Sequence, residues 1–214
     1  MGKKEDSYPI KISGIIEAAF LVVFAQNANM IAIPIVDLIS NKLFKSIHFI
    51  LLTVPLINMT AIIANWLTCK IYEKVYDINM LIEDIITLGV FYLEVYIINK
   101  LCDGNILINE KESMLIIGAT YSLIFILFIF WNRSAFKNTK SSKKRVNIRI
   151  ANIQNIILLG ICMAIFILAL WEKCCYAFIT YCFFVMAWVY IWIFHGHRNK
   201  IASFLVKRRK NNNN

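Results

Sequence analysis

Six apolar stretches of about 20 residues, separated by short polar loops, occupy most of this 214-residue chain. A helix needs roughly 20 apolar residues to cross a hydrocarbon core of about 30 Å. Of all residues, 59% are hydrophobic and 17% are charged, whereas a soluble domain has about 25% charged residues. We therefore predict an all-α fold, a polytopic integral membrane protein with six transmembrane helices. These predicted helices, called spans 1 to 6, are Ile12–Ile39, Ile47–Cys69, Met80–Ile98, Met114–Trp131, Ile150–Leu170 and Cys174–Phe194.

The basic residues lie almost entirely on alternate loops. Of the 23 lysines and arginines, 18 fall in the N-terminal stub, the loop after span 2, the loop after span 4 and the tail, and five fall in the other loops. Cytoplasmic loops of membrane proteins carry an excess of these residues. We expect a multi-pass protein of the plasma membrane with both termini cytoplasmic. Its parts are a cytoplasmic stub (1–11), a six-helix bundle (12–194) and a basic cytoplasmic tail (195–214).

The net charge of +10 does not indicate a nucleic-acid-binding protein. The positive charge sits in loops beside membrane spans, where the cytoplasmic bias explains it, and the sequence has no soluble basic domain that would dock a duplex. The expected partners are the lipid bilayer and further copies of the chain in a homo-oligomer. Cys102 and the Cys174–Cys175 pair fall on the predicted outer side, where either a disulfide or isolated thiols fit the sequence.

Polar side chains inside the apolar spans are concentrated in spans 1 to 3. Such groups are costly in a membrane, so they face protein or water rather than lipid. Pro34 and Pro55 lie among them and predict kinks. Helical spacing puts the polar residues of each span on one face, which predicts a polar path where the three helices meet. The residues of this predicted transport path are Gln26, Asn29, Asp37, Asn58, Asn65, Glu83, Asp84, Thr87 and Glu94.

Each of these residues also has a structural interpretation. Asn and Gln side chains join helices by hydrogen bonds in many membrane proteins, at about 0.6 kcal/mol each. Glu83 and Asp84 lie near the start of span 3, where the helix dipole favours acids. Glu94 lies further inside its span, about four residues from the outer end, so a transport role is best supported there.

Catalytic motifs are lacking. The sequence contains no nucleophile elbow, no zinc-peptidase motif and no glycine-rich phosphate loop. A pairing of Cys69 with His195 or His197 at the inner membrane surface is geometrically allowed, but no local motif supports it. We predict that the protein is not an enzyme and has no cofactor or metal site.

Two basic segments face the predicted cytoplasm. They lie in the loop after span 4 and in the tail, and they fit either contact with anionic lipid head groups or docking of an acidic cytosolic protein. The residues of this predicted docking surface are Lys140, Lys143, Lys144, Arg145, Lys207, Arg208, Arg209 and Lys210.

The sequence thus leaves two functions open. The first is permeation or transport of a small cation or solute along a path between spans 1 to 3, with the carboxylates supplying charge and the amides replacing lost hydration. The alternative is a non-transporting membrane subunit that senses or disrupts the bilayer or anchors a cytosolic partner, for example in a defence or immunity system.

Overall fold

The computed structural model describes residues 14, 15, 18, 22, 49–51, 53, 54, 56–58, 60, 61, 76–102, 109–193, 203 and 204. Four long helices account for most of these residues, and the described part of the chain contains no strand. They are α1 (Ile78–Cys102), α2 (Glu110–Asn138), α3 (Ser142–Leu170) and α4 (Cys174–Ile193). They correspond to predicted spans 3 to 6. The described residues between 49 and 61, called segment 49–61, are helical and belong to predicted span 2.

Three of these helices, α2, α3 and α4, are long and apolar enough to cross a membrane. Their outer surfaces carry large exposed apolar side chains, for example Ile153 and Ile157 on α3 and Phe183 on α4. Contiguous exposed apolar surface is typical of helices that face lipid. The described part of the protein is therefore all-helical, and its three long apolar helices suggest embedding in a membrane. The count of six spans and the side of each terminus stay predictions.

The helices α2 and α3 are longer than the predicted spans, at 29 residues each. The sequence predicted a polar loop over 132–149, but the structure continues both helices through it and leaves only residues 139–141 outside them. The length of an apolar stretch indicates only the part of a helix that fits in lipid. Lysine, arginine and serine outside the lipid can continue the same helix with only a small loss of helix propensity. The prediction of a long loop was wrong for this reason.

Local capping signals fix where these helices begin. The side chain of Asn109 accepts from the backbone N–H of Glu112 at 2.9 Å, and the Glu112 carboxylate accepts from the Asn109 N–H at 3.0 Å. This reciprocal capping box satisfies two N–H groups that the first turn of a helix leaves unpaired. Ser141 caps α3 in a similar way, accepting from the backbone N–H of Lys144.

A three-residue link joins α3 to α4. The N–H of Glu172 donates to the carbonyl of Ala169 at 3.1 Å, and the N–H of Lys173 donates to that of Leu168 at 2.9 Å. This pattern is a Schellman motif, and it requires Glu172 to adopt a left-handed conformation, with φ 60°. The Glu172 carboxylate accepts from Lys111 Nζ at 2.7 Å, so the link is also tied to the first turn of α2. This hydrogen bond lowers the pKa of Glu172.

The main core lies between segment 49–61 and the four helices, with α2 packed most extensively against α3. At Gly118 the two backbones come close enough that a Cβ atom would lie 2.8 Å from the backbone nitrogen of Phe166. Small residues permit this close approach in membrane helices, where packing replaces the hydrophobic effect. A smaller second core, which contains Tyr76, Met80 and Trp131, lies where α1 begins and α2 ends.

Segment 49–61 packs against α4 through two hydrogen bonds that repeat seven residues apart. The hydroxyls of Thr53 and Tyr181 are 2.7 Å apart, and Trp188 Nε1 donates to Thr60 Oγ1 at 3.1 Å. Both partners advance together along the chain, so segment 49–61 and α4 run parallel. Spans 2 and 6 have the same relation in the predicted six-span topology.

Candidate functional site

A chain of three buried polar side chains connects three helical elements inside the main core. The hydroxyl of Tyr121 on α2 donates to Asn58 Oδ1 at 2.9 Å, and Asn58 Nδ2 donates to Glu94 Oε2 at 3.2 Å. All three side chains are inaccessible to solvent, with relative exposures of 1%, 0% and 1%. We call these three residues the polar triad. The tyrosine donates to the amide and the amide donates to the acid, so the hydrogen bonds run in one direction towards the carboxyl group.

Apolar and aromatic side chains surround the polar triad. The ring of Tyr121 lies 5.1 Å from that of Phe184, and Phe184 lies 6.1 Å from Tyr181, centroid to centroid. The thiol of Cys162 belongs to the same buried core. A carboxyl group in such surroundings is costly unless hydrogen bonds or a cation compensate for the water it has lost.

Among the described residues, a hydrogen bond replaces the lost hydration of only one of the two Glu94 carboxyl oxygens. Its Oε2 atom accepts from Asn58, but its Oε1 atom is buried and has no hydrogen-bond donor among them. Thr120 lies beside the carboxyl group, yet its hydroxyl donates to the carbonyl of Ile116 at 2.8 Å. Thr120 is thus close enough to influence the carboxyl group, but its hydroxyl is directed to the backbone in this arrangement. One oxygen of Glu94 is thus open to a further donor or a cation.

The other predicted acids of α1 lie at a different level. Asp84 is buried and accepts from the hydroxyl of Tyr76 beside the second core. Ten residues separate Asp84 from Glu94, which is about 15 Å along a helix. Thr87 is also buried, and its hydroxyl donates to the carbonyl of Glu83 at 2.8 Å, one turn earlier in α1. The acidic residues of α1 therefore occupy two separate levels of the bundle.

Glu83 is half-buried at the level of Asp84. Its Oε2 atom has no hydrogen-bond donor among the described residues. Asp84 and Asp77 are close enough to Glu83 to act on it electrostatically, and Asp77 also accepts from Asn138 Nδ2 at 2.7 Å at the end of α2. This acidic level lies beside the second core, apart from the polar triad.

The structure brings together two residues of the predicted path, Asn58 and Glu94, and it places Glu83, Asp84 and Thr87 on the same helix as Glu94. The remaining residues of the predicted path lie outside the described residues: Gln26, Asn29, Asp37 and Asn65. Four residues of the predicted docking surface, Lys140, Lys143, Lys144 and Arg145, lie at the link between α2 and α3. The other four also lie outside the described residues: Lys207, Arg208, Arg209 and Lys210.

Sequence reasoning missed Tyr121 and Tyr76, because span 4 looked apolar on all sides and Tyr76 stands before span 3. A signal was present for Tyr121, since a buried tyrosine hydroxyl usually finds a hydrogen-bond partner. Within the described residues, no group of three or more histidine, cysteine or acidic side chains is arranged to hold a metal ion. Cys174 and Cys175 are free thiols.

Comparisons with known proteins give this chain no relatives from which a function could be transferred. No protein-family model, no curated protein and no solved structure matches it.

Proposed function

We propose that this protein transports a small cation across the membrane and that Glu94 is the residue that binds the cation. One observation carries the proposal: a carboxyl group is buried in the helical core with one oxygen paired to Asn58 and the other without a donor among the described residues. Ionisable residues inside a membrane bundle are rare and usually mark an ion pathway or a proton relay.

The other two residues of the polar triad suit this role. Carboxylate oxygens are hard ligands, of the kind that small hard cations prefer, and the hydrogen bonds of Asn58 and Tyr121 leave the Oε1 atom of Glu94 unoccupied within the described part of the chain. Tyr121 helps to hold the Asn58 amide in this orientation, because its hydroxyl donates to the amide oxygen while the amide nitrogen donates to Glu94. The triad would therefore hold the carboxyl group in one position while a cation arrives and leaves.

A flux assay tests this proposal. The purified chain is reconstituted into liposomes, and H⁺, Na⁺ and K⁺ fluxes are measured separately with entrapped indicator dyes. We expect flux of one cation, and Glu94→Gln should reduce it by about tenfold or more, since the amide removes the charge and keeps the shape. Glu110→Gln is the matched control, because Glu110 is an exposed acid in the first turn of α2.

Two results would contradict the proposal, the first by excluding transport and the second by excluding Glu94 as the cation-binding residue. One is wild-type liposomes with no flux of any of the three cations. The other is Glu94→Gln protein that transports as fast as wild type and unfolds at a lower temperature, which would make the polar triad a structural connection between helices.

The second candidate function is anchoring of an acidic cytosolic protein. It is favoured by Lys140, Lys143 and Arg145, which are exposed together at the link between α2 and α3 and form no ion pair among the described residues. This function predicts that neutralising Lys143, Lys144 and Arg145 abolishes co-purification of a specific soluble partner and leaves cation flux unchanged.

A further inference from the structure

A cavity of about 180 Å³ opens between the last turn of α2 and the first turns of α3. It lies at the other end of α2 from the Lys111–Glu172 ion pair, apart from the polar triad. Three of its six lining residues are cationic and, within the described part of the chain, none is acidic. The lining residues are Phe136, Lys140, Ser142, Arg145, Val146 and Arg149.

Two arginines are held on one aromatic ring at this cavity. The guanidinium carbons of Arg145 and Arg149 lie 5.3 and 5.1 Å from the ring centroid of Phe136. In addition, Arg145 Nε donates to the carbonyl of Thr139 at 2.7 Å, which fixes the guanidinium at the end of α2. An arginine on an aromatic face keeps its N–H groups available in the plane of the guanidinium.

These positive charges are not neutralised within the described residues. No carboxylate there forms an ion pair with Lys140, Arg145 or Arg149. Like charges one helical turn apart destabilise each other by about 0.2–0.5 kcal/mol, and an anion bound between the two arginines would remove this repulsion. Arginine pairs are well suited to phosphate, because the planar guanidinium donates two parallel hydrogen bonds to its oxygens.

The surface next to the cavity indicates where the phosphate comes from. Arg145, Arg149, Ile153 and Ile157 follow one another at intervals of four residues, so they form one stripe along α3. Ile153 and Ile157 are 58% and 56% exposed, which is high for isoleucine. The stripe therefore changes from cationic to apolar as α3 enters its apolar part, and this order matches a phosphate head group followed by an acyl chain.

We propose that this cavity binds the phosphate of an anionic phospholipid. Arg145 and Arg149 bind the phosphate oxygens, Lys140 and Ser142 supply further donors, and an acyl chain follows Ile153 and Ile157. The loop charges predict that this end of α2 and α3 is cytoplasmic, and anionic lipids are enriched in that leaflet.

A lipid titration in detergent tests the site. The purified chain is titrated with phosphatidylglycerol, phosphatidylcholine or inorganic phosphate, and bound lipid is counted by native mass spectrometry. We expect phosphatidylglycerol to bind most tightly, with Arg149→Gln weakening its binding by about tenfold. Arg133→Gln and Lys137→Gln are matched controls, because both residues are exposed on α2 near the same membrane surface and outside the cavity.

A substitution that leaves the charge unchanged distinguishes a defined binding site from general electrostatic attraction of the anionic lipid to a basic surface. Phe136→Leu removes the ring that holds both arginines, and we expect it to weaken phosphatidylglycerol binding severalfold. Arg149→Gln is preferred to Arg145→Gln, because the Nε atom of Arg145 also donates to the carbonyl of Thr139 and so helps to hold the link between α2 and α3.

Three results would overturn the proposal. Equal losses in the cavity variants and the two controls would show general electrostatic attraction. Inorganic phosphate binding as tightly as phosphatidylglycerol would exclude the lipid as the specific ligand. Binding of polyglutamate, but not of phosphatidylglycerol, with the same dependence on Arg149 would assign the cavity to an acidic protein.

Discussion

Replacing Gly118 by alanine tests how the two longest helices pack. A Cβ atom at this position would lie 2.8 Å from the backbone nitrogen of Phe166 and 2.9 Å from its Cα and Cβ atoms. Carbon atoms in favourable contact lie about 3.5–4.0 Å apart. The backbones of α2 and α3 would therefore have to separate by roughly 0.6 Å or more, and no flexible side-chain end is available to absorb the change.

The expected cost follows from two opposing effects. Inserting a methyl group into a well-packed interface costs about 1–3 kcal/mol. Alanine in place of glycine inside a helix returns about 0.5–1 kcal/mol. We therefore expect Gly118→Ala to destabilise the folded chain by about 1–2 kcal/mol, since α2 and α3 share the largest helix contact of the described residues.

Two other glycines provide matched controls. A Cβ atom at Gly160 on α3 or at Gly89 on α1 would have no atom within 4 Å among its described surroundings. Gly160→Ala and Gly89→Ala should therefore leave stability unchanged or raise it by up to about 1 kcal/mol. The assay is unfolding in mixed micelles with increasing dodecyl sulfate, followed by circular dichroism. The packing argument is wrong if Gly118→Ala unfolds at the same point as Gly160→Ala.

Three further substitutions probe hydrogen bonds at defined levels of the bundle. Tyr121→Phe removes the donor to Asn58 and should cost about 0.6–1.7 kcal/mol in the same micelle assay, the range of hydrogen bonds between membrane helices; a smaller effect would mean that Asn58 finds another donor. Asn109→Ala removes the cap of α2 and should cost about 0.5–2 kcal/mol, with Asn109→Asp as the conservative control that retains stability. Glu172→Gln tests pH dependence: because the bond from Lys111 lowers the pKa of Glu172 in the folded chain, its stabilisation is fully present above the unfolded pKa of about 4.3 and is lost as the pH falls through the lower folded-state pKa. The variant should therefore have a lower Tm than wild type at pH 7, the difference should shrink as the pH is lowered below the unfolded value, and a difference that stays constant with pH would contradict the assignment.

Apolar length predicted which parts of the chain are helical better than it predicted where the helices end. The start of α4 at Cys174 is confirmed, because a link of only three residues leaves no room for a shift. The start of α2 was missed by four residues, although Asn109 and Glu112 have the spacing of a capping box. Capping residues act on the backbone of a single turn, so they mark a helix end that hydropathy averaged over a whole span does not.

Sequence periodicity identifies the face of one helix but not the neighbour that the face contacts. Asn58 and Glu94 were selected because each is polar inside an apolar span, and the structure shows them in contact. Tyr121 completes the triad from α2; its hydroxyl indicated a hydrogen-bond partner, but the sequence did not indicate which helix would supply that partner. Arg149 was omitted from the predicted docking surface for a similar reason, since its relation to Phe136 depends on how α3 packs against the end of α2.

The two proposed sites are far enough apart to be tested separately. Tyr121 and Phe136 mark them on the same helix, and the 15 residues between them correspond to about 22 Å at 1.5 Å per residue. At an effective dielectric constant of about 20, two unit charges that far apart interact by less than about 1 kcal/mol. Arg149→Gln should therefore change lipid binding without changing cation flux, and Glu94→Gln should do the reverse. If Arg149→Gln also abolished flux in liposomes of phosphatidylcholine alone, the two sites would be coupled through α2, and the cavity would have to be understood as part of the transport mechanism.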